Sequence, residues 1–384
     1  MPIAAISQHP EGADATAEVI GQALEDGGSG ADLVVLFTSA HHRDEFAEIA
    51  ATVRAALEPG RLIGVTAGGI MGGAQEIEDG PAVALWAAQL GTVPNAVRLT
   101  AASTPAGTTL QGLPHPAGSG SEPQTLLLLA DPFSVPVPDV LDVLAAGPNP
   151  MRVIGGLASA GMSPGTNRLV LDDEVFDDGS VGVLFDDQDI VEGIVVSQGC
   201  RPVGSPMIVT KAEGMQVMEL AGQSAISRLE QLASSAPPDD RGLLASGGVH
   251  LGVVADEHQA DFGRGDFLVR SVVGADRETG ALSVGALVEV GTTVQFHVRD
   301  AATADEDLRA LLAGHRADGA LVFTCNGRGR HLFGTPHHDA RLVADIVSDH
   351  NAVAGMFCAG EIGPVGTRSF LHGFTACALL VTQP

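Results

Sequence analysis

The amino-acid sequence predicts an α+β fold in which three βαββ-like units form layered sheets flanked by helices. Three stretches repeat the same order of apolar strand, helical segment, strand and strand. A glycine recurs within the second strand of each stretch. Residues 187–300 instead alternate between apolar and polar positions and are broken by Gly, Pro and Asp. That pattern predicts an antiparallel hairpin-rich insertion between units two and three.

Each unit opens with an apolar run of strand length, which is "LVVLFTS", "LLLLADP" or "LVFTCNG". Helical spacing follows, and two further apolar runs close the unit. The recurring glycines are Gly64, Gly155 and Gly355. In the order strand, helix, strand and strand, the predicted bounds are 33–39, 43–57, 61–69 and 81–88 in unit one, 126–132, 136–145, 152–161 and 179–186 in unit two, and 321–327, 337–350, 352–363 and 374–381 in unit three.

Two stretches have the composition of linkers, and one part of the insertion has helical spacing. "SSAPPDDRG" at 234–242 is the clearest linker, and "GLPHPAGSGSEPQ" at 112–124 is the next. Residues 214–233 place apolar side chains at helical intervals. We therefore expect one helix within the insertion.

The charge of the chain excludes several classes of partner. The 384 residues include 47 acidic and 20 basic side chains, which gives a formal net charge of −27. Such a field repels phosphate backbones and anionic lipids, and aromatic residues, at 4%, are too few for base stacking. No signal peptide is evident, and the apolar runs are shorter than a membrane span. The sequence predicts a cytoplasmic monomer or dimer that binds neither nucleic acid nor membrane.

No cofactor or metal is expected from the motifs. The chain has no P-loop and no dinucleotide-binding fingerprint. Its four cysteines have neither the spacing of a disulfide framework nor that of a zinc site. They are Cys200, Cys325, Cys358 and Cys377.

The most unusual strand end is "CNGRG", residues 325–329. Gly327 and Gly329 can adopt positive φ and turn successive N–H groups toward one point, where they would bind an anion. Arg328 adds a planar fork that matches a carboxylate or phosphate. The turn follows a strand and precedes a helix, where ligands bind in open α/β sheets. A tight turn with a solvated arginine would use the same residue types.

A second unusual strand end, "CAGEIGPVG" at 358–366, belongs to the same unit. If the two strand ends meet, Arg328 and Glu361 present opposite charges across a cleft. Arg328 would then bind the carboxylate of a zwitterion and Glu361 its ammonium group. Alternatively, the two side chains bind each other as a salt bridge. The predicted ligand-binding residues are Cys325, Asn326, Gly327, Arg328, Gly329, Gly360 and Glu361.

Cys325 also allows a catalytic interpretation. His338 and its neighbours His337 and Asp339 lie downstream, so Cys325 and His338 are the candidate members of a Cys–His nucleophile. Cysteines in such apolar surroundings are more often buried structural groups. A metal site built from Cys325, Cys358 and the two histidines lacks a recognised ligand spacing.

Several motifs together resemble the FIST family over roughly residues 30–380. The carboxyl half contains "FLVRSVVGAD", "FTCNGRG" and "GMFCAGEIGPVG" in the family's order, and the amino half contains "IGVTAGG", "IGGLAS" and "SQGCRPVGSPMIVTKAEG". The resemblance implies a lead-in at 1–29, a FIST N-like domain at 30–220 and a FIST C-like domain at 221–384. It carries the family signature onto the Asn326–Gly329 turn, Gly360 and Glu361.

The resemblance implies a sensory module for a small ligand, with amino acids suggested. The leading hypothesis is a cytoplasmic protein that binds an amino acid or another small carboxylate and passes the signal to an unidentified partner protein. The alternative is a cysteine-dependent hydrolase or acyl transferase that uses Cys325. A binding protein is favoured over an enzyme because the resemblance assigns no catalytic role to Cys325.

Overall fold

The computed structural model describes residues 1–104, 107–114, 124–147, 150–185, 190–245, 248–259 and 261–383. The chain divides into two compact bodies. The second body is Ser197–Asp307 with His372–Phe374, and the first body is Met1–Val196, Leu308–Leu371 and Thr375–Pro384. Helices and layered sheets occur together, which confirms the α+β prediction.

Secondary structure covers most of both bodies. The strands are β1 (Ile3–Ser7), β2 (Leu33–Ser39), β3 (Arg61–Ala67), β4 (Ile70–Gly72), β5 (Gln75–Ile77), β6 (Val83–Ala88), β7 (Asn95–Thr104), β8 (Gly107–Gln111), β9 (Thr125–Ala130), β10 (Arg152–Leu157), β11 (Leu169–Leu171), β12 (Glu174–Phe176), β13 (Ser180–Phe185), β14 (Val191–Gln198), β15 (Cys200–Glu213), β16 (Gln216–Leu220), β17 (Gln223–Ser224), β18 (Val249–Val254), β19 (Phe267–Asp276), β20 (Ala281–Val284), β21 (Thr293–Arg299), β22 (Gly319–Cys325), β23 (Val353–Cys358), β24 (Glu361–Val365), β25 (Arg368–His372) and β26 (Thr375–Val381). The helices are α1 (Gly12–Glu25), α2 (Phe46–Leu57) after a 3₁₀ turn (Ala40–Glu45), α3 (Val137–Ala146), α4 (Ala225–Ser235), α5 (Pro238–Ala245), α6 (Ala301–Leu312), α7 (Gly329–Phe333) and α8 (His338–Ala344).

The three predicted units share one pattern of strand pairing. In each, the first strand lies between the other two, parallel to the second and antiparallel to the third. The three triplets, written in their order within the sheet, are β6-β2-β3, β13-β9-β10 and β26-β22-β23.

The recurring glycine of each second strand has a steric cause. Gly64, Gly155 and Gly355 each lie directly opposite a residue of the neighbouring first strand. A Cβ atom on any of them would come within 1.9–2.6 Å of that residue's carbonyl oxygen. The first and second strands therefore approach too closely for any other residue type. The oxygens belong to Leu36, Leu128 and Val322.

A hairpin follows each second strand and pairs with the sheet of another unit. β4–β5 of unit one pairs with β23, β11–β12 of unit two pairs with β3, and β24–β25 of unit three pairs with β10. The exchange is cyclic, and each hairpin extends the sheet at its second strand. The sequence did not predict these hairpins, and the strand expected at 352–363 is divided between β23, which ends at Cys358, and β24, which begins at Glu361.

The three sheets of the first body surround a shared apolar core. Inward side chains from all three sheets, such as Phe37, Leu127 and Phe323, form one cluster. The outer face of each sheet packs against helices, with α1 and α2 on the first, α3 on the second, and α6 and α8 on the third. Among the described residues, no helix has both the length and the apolar character that a membrane crossing requires.

The second body contains a sheet that closes on itself. Its strands follow the order β15-β21-β18-β19-β20-β16-β17, and β15 also pairs with β16. All the pairings are antiparallel, as expected for a hairpin-rich insertion. Apolar side chains from its strands and from α4 and α5 fill one core.

Some predicted helix and linker bounds are wrong. The helix expected at 214–233 begins only at Ala225, because Gln216–Leu220 joins the closed sheet and Ser224 caps the helix by accepting from the Ser227 N–H. The linker at 234–242 contains part of α5. The helix expected at 337–350 is the shorter α8 and is preceded by α7. Most of the linker at 112–124 lies outside the described residues.

We expect Gly355→Ala to destabilise the protein, because the added methyl group meets the Val322 carbonyl at 2.0 Å. The loss in unfolding free energy should be roughly 3 kcal/mol, as for an overpacked core. Gly21→Ala in α1 is the control, since nothing lies within 4 Å of the added methyl group. It should stabilise the helix by about 0.5–1 kcal/mol. Urea unfolding of the two variants measures both values, and equal stabilities would contradict the steric explanation.

Candidate functional site

Strand ends from all three units meet at one place in the first body. At the end of β3, the Gly68 N–H donates to Ser159 Oγ at 2.8 Å, just beyond β10. The Ser159 hydroxyl donates to the Phe357 carbonyl on β23 at 2.6 Å. A Cβ atom on Gly68 would lie 3.5 Å from Asn326 Oδ1, in the turn after β22. The turn singled out in the sequence therefore lies where the three units converge.

Arg328 is buried inside this region and is not solvated. Its side chain is fully buried, and its Nε and Nη2 donate to the two carboxylate oxygens of Asp339 at 2.7 and 2.8 Å. Burial opposes the charge, but Asp339 and its hydrogen bonds raise the Arg328 pKa. The third nitrogen, Nη1, has no hydrogen-bond acceptor among the described residues. The predicted alternative of a direct salt bridge to Glu361 is thus replaced by a pair with Asp339.

Asp339 is held in its ionised form by several donors. The Thr324 hydroxyl donates to Oδ2 at 2.7 Å, and His338 Nδ1 lies 2.9 Å from Oδ1. Burial would raise the Asp339 pKa, but the Arg328 charge and these hydrogen bonds lower it well below its usual range. Asp339 therefore fixes the position of the buried guanidinium.

Glu361 is the second fully buried ionisable group of the predicted site. Its Oε2 accepts from the Thr375 N–H at 3.0 Å and from the Thr375 hydroxyl at 2.7 Å. Its Oε1 has no nitrogen or oxygen donor among the described residues. Burial raises the Glu361 pKa to about 8, although Thr375, the Arg328 charge and the Cys325 thiol act in the opposite direction. Glu361 is therefore mostly protonated at neutral pH.

Cys325 and Asn326 form the accessible side of this region. Cys325 is half-buried at the end of β22, and Asn326 is exposed. The Gly327 N–H donates to Cys325 Sγ at 3.5 Å. The thiol thus lies between solvent and the buried Arg328 and Glu361 side chains, which both interact with it electrostatically.

The anion-binding turn predicted from the two glycines is occupied by a carboxylate of the protein itself. Gly329 has φ +57°, whereas Gly327 is not in the positive-φ region. The Arg330 N–H donates to both oxygens of Glu78 at 3.0 Å, and a Cβ atom on Gly329 would lie 2.6 Å from Glu78 Cδ. The backbone here binds a carboxylate through the Arg330 N–H, and that carboxylate comes from a residue that the sequence did not single out.

Glu76, two residues earlier on β5, was also missed by the sequence analysis. Its Oε1 accepts from the Ala340 N–H at 2.9 Å, and its own N–H donates to His337 Nδ1 at 2.8 Å. Burial and the negative charge of Asp339 raise the Glu76 pKa to about 7. Acidic residues on both sides of Ile77 were the available signal, but nothing local indicated what they would contact.

The two remaining predicted residues have defined neighbours. The His338 ring stacks on Phe333 with centroids 3.4 Å apart, and its Nδ1 faces Asp339. The structure thus places His338 beside the Arg328–Asp339 pair. Gly360 is buried, and its carbonyl accepts from the Leu157 N–H at 2.8 Å. Gly360 therefore contributes backbone contacts between β10 and the strand end of unit three.

Comparisons with known proteins agree with this architecture. Two family models match successive parts of the chain, the FIST N domain at residues 32–223 and the FIST C domain at 225–364. The chain belongs to the FIST family. It is 42% identical over 383 residues to uncharacterized protein Rv0628c of Mycobacterium tuberculosis, a match that covers 98% of each chain. It is 40% identical over 384 residues to uncharacterized protein Mb0898c of Mycobacterium bovis, which covers 97% of this chain and 96% of the relative.

Membership confirms the family predicted from the sequence motifs. FIST domains are associated with sensing and signal transduction. The spans of the two family models differ from the two compact bodies, because the first body takes residues from both domains. The candidate site contains Glu76 and Glu78 from the FIST N domain and the Cys325–Arg330 turn from the FIST C domain.

We expect Arg328→Ala to destabilise the FIST protein by about 3–5 kcal/mol, because it leaves the buried Asp339 carboxylate without its partner. Arg330→Ala is the matched control in the same turn, since Arg330 is exposed and its stability effect should stay within about 0.5 kcal/mol. Urea unfolding measures both. A double variant with Arg328→Met and Asp339→Leu, which removes both charges, should recover part of the lost unfolding free energy. Equal stabilities of the two single variants would rule out a structural role for the pair.

The raised Glu361 pKa makes stability depend on pH. Between pH 4.5 and 8 the folded state keeps a proton on Glu361 that the unfolded chain has released. The stabilisation that comes from keeping Glu361 protonated is fully present below pH 4.5 and is lost as the pH rises toward 8. Over that range the free energy of unfolding falls by about 1.4 kcal/mol per pH unit for one such group. Glu361→Gln should therefore make the decline of unfolding free energy with pH less steep. Glu25→Gln, an exposed change in α1, should leave it unaltered, and identical slopes in all three proteins would contradict the assignment.

Proposed function

We propose that this FIST protein is a cytoplasmic sensor that binds an amino acid or another small carboxylate where the three units converge. The observation that carries this proposal is a pair of fully buried side chains, Arg328 and Glu361, whose Nη1 and Oε1 atoms have no nitrogen or oxygen partner among the described residues. Buried polar atoms are rarely left without partners, so these two atoms are available to the polar groups of a ligand. The sensory association of FIST domains supports this function.

In this proposal, Arg328 binds the ligand carboxylate through Nη1. Asp339 holds the guanidinium by its other two nitrogens, so its orientation is set before the ligand arrives. A charge-assisted hydrogen bond from a fixed, buried guanidinium is among the stronger polar contacts available. The ligand enters from the side of Cys325 and Asn326, which are the half-buried and exposed residues of the turn.

Glu361 distinguishes an amino acid from a simple carboxylate. It is mostly protonated at neutral pH, and a ligand ammonium group close to Oε1 would favour its ionised form. Binding of an amino acid near neutral pH would then release a proton, while a carboxylate without the amino group would leave Glu361 protonated. The ligand signal passes to a separate partner protein.

A second candidate function is cysteine-dependent hydrolysis or acyl transfer at Cys325. The half-buried thiol with the Gly327 N–H directed at it favours this alternative. His338 contacts Asp339 and Phe333, which supports a role for that histidine in positioning Arg328. Ligand binding is the better supported function because it accounts for both Arg328 Nη1 and Glu361 Oε1, which have no nitrogen or oxygen partner among the described residues.

Titration calorimetry with amino acids and with the matching carboxylates that lack the amino group tests the proposal. Wild-type protein should bind an amino acid and release a proton, which appears as a dependence of the heat on the buffer. Glu361→Gln should abolish the proton release and weaken amino-acid binding, while binding of the carboxylate analogue changes little. Arg330→Ala is the control and should bind as the wild type does. Absence of binding by every compound would contradict the proposal, and turnover lost in Cys325→Ala would establish the second candidate.

A further inference from the structure

Three of the four cysteines meet beside the buried Glu361. Cys325 and Cys358 end the parallel strands β22 and β23 and lie directly opposite each other. Residues in register on adjacent strands point to the same face of a sheet. Side chains alternate along β22, so Cys325 lies on the same face as Leu321 and Phe323. Those two residues belong to the same core cluster as Cys358. The two thiols therefore project side by side.

Cys377 lies near the same place but is less well positioned for Cys325. It pairs with Phe323 across β22 and β26, so Cys325 lies diagonal to it. Diagonal neighbours are about 7–8 Å apart, whereas direct neighbours are about 5 Å apart. Cys377 therefore serves as a control thiol for the pair formed by Cys325 and Cys358.

Access and charge differ between the paired thiols. Cys325 is half-buried, receives the Gly327 N–H and interacts with the Arg328 charge, and both favour negative charge on its sulfur. Cys358 is fully buried, and its sulfur occupies space left by Gly156, where a Cβ atom would come within 2.4 Å. An oxidant from solvent therefore reaches Cys325 first.

We infer that Cys325 and Cys358 form a redox pair in which Cys325 is oxidised by a hydroperoxide and Cys358 resolves the product to an intramolecular disulfide. The inference is independent of the proposed ligand. Strands in register place their Cα atoms about 4.8 Å apart, inside the range of about 4.4–6.8 Å that disulfides span.

The reaction balances in two steps. The Cys325 thiolate attacks one oxygen of the hydroperoxide, the O–O bond breaks, and the thiolate becomes a sulfenic acid. The other oxygen leaves as hydroxide or alkoxide and takes up the proton that the Cys325 thiol released, which gives water or an alcohol. Cys358 sulfur then attacks the sulfenic sulfur, so that the S–S bond forms and the S–O bond breaks. The hydroxide that leaves takes the Cys358 proton and departs as water.

Peptide mapping of the full chain tests the inference with hydrogen peroxide as the probe. Trypsin cleaves after Arg316, Arg328, Arg341 and Arg368, so Cys325, Cys358 and Cys377 fall in three different peptides. After peroxide treatment and blocking of remaining thiols, the wild type should give a Cys325–Cys358 cross-linked pair that dithiothreitol separates. A Cys325–Cys377 link, or sulfinic acid on Cys325 with Cys358 still a thiol, would overturn the inference.

Two variants separate the resolving residue from its neighbour. In Cys358→Ala the sulfenic acid on Cys325 should persist, so that dimedone labels it several-fold more than in the wild type. In Cys377→Ala, which removes an equally buried thiol, the Cys325–Cys358 disulfide should form as in the wild type. Equal dimedone labelling in Cys358→Ala and Cys377→Ala would contradict the assignment of Cys358 as the resolving cysteine. The wild-type peptide map decides the question even where a variant is unstable.

Discussion

The buried ion pair between Arg328 and Asp339 is the interaction on which the candidate site depends. A guanidinium without solvent is tolerated only when a carboxylate holds it with good geometry, and both hydrogen bonds to Asp339 are short and parallel. Glu76 of β5 binds the N–H of Ala340, which is the residue next to Asp339 in α8. The Arg328–Asp339 pair therefore connects the turn after β22 to β5. The pair therefore holds the turn and α8 together beside the hairpin of unit one.

The balance of charge around this pair explains why two carboxyl groups resist ionisation. Arg328 forms its ion pair with Asp339, so Glu76 and Glu361 are buried without an ion-pair partner among the described residues. Burial therefore dominates, and the pKa values rise to about 7 and about 8. This arrangement supports the proposed binding of a ligand that carries both a carboxylate and an ammonium group.

The sequence predicted the parts of this fold that depend on local pattern. Apolar runs located the strands of all three units, and the turn at 325–329 was correctly placed at the end of β22. Gly355 could be found by comparison with Gly64 and Gly155, because the same close approach of strands recurs. The hairpin strands β4, β5, β11 and β12 have only three residues each, too few for a period of two to be recognised.

The partners of the site residues could not be predicted because they come from distant parts of the chain. Glu78 binds the Arg330 N–H across 252 residues, and Glu76 binds the Ala340 N–H across 264. Glu361 was expected to face Arg328 as a charged partner, but whether a carboxyl ionises depends on burial, which no local pattern encodes. Asp339 was considered only as a neighbour of a catalytic histidine, although its spacing from Arg328 was visible in the sequence.

The cyclic exchange of hairpins explains why the strand ends converge at all. Each hairpin leaves the carboxyl end of its own second strand and pairs with the second strand of another unit, so it carries the chain across the boundary between units at that end. The three carboxyl ends must therefore face one another, and the residues immediately after the strands, such as Gly68, Ser159 and Asn326, come into contact. No unit can complete its sheet without a hairpin from another unit. It follows that the site exists only when all three have folded, which couples its geometry to the integrity of the whole first body.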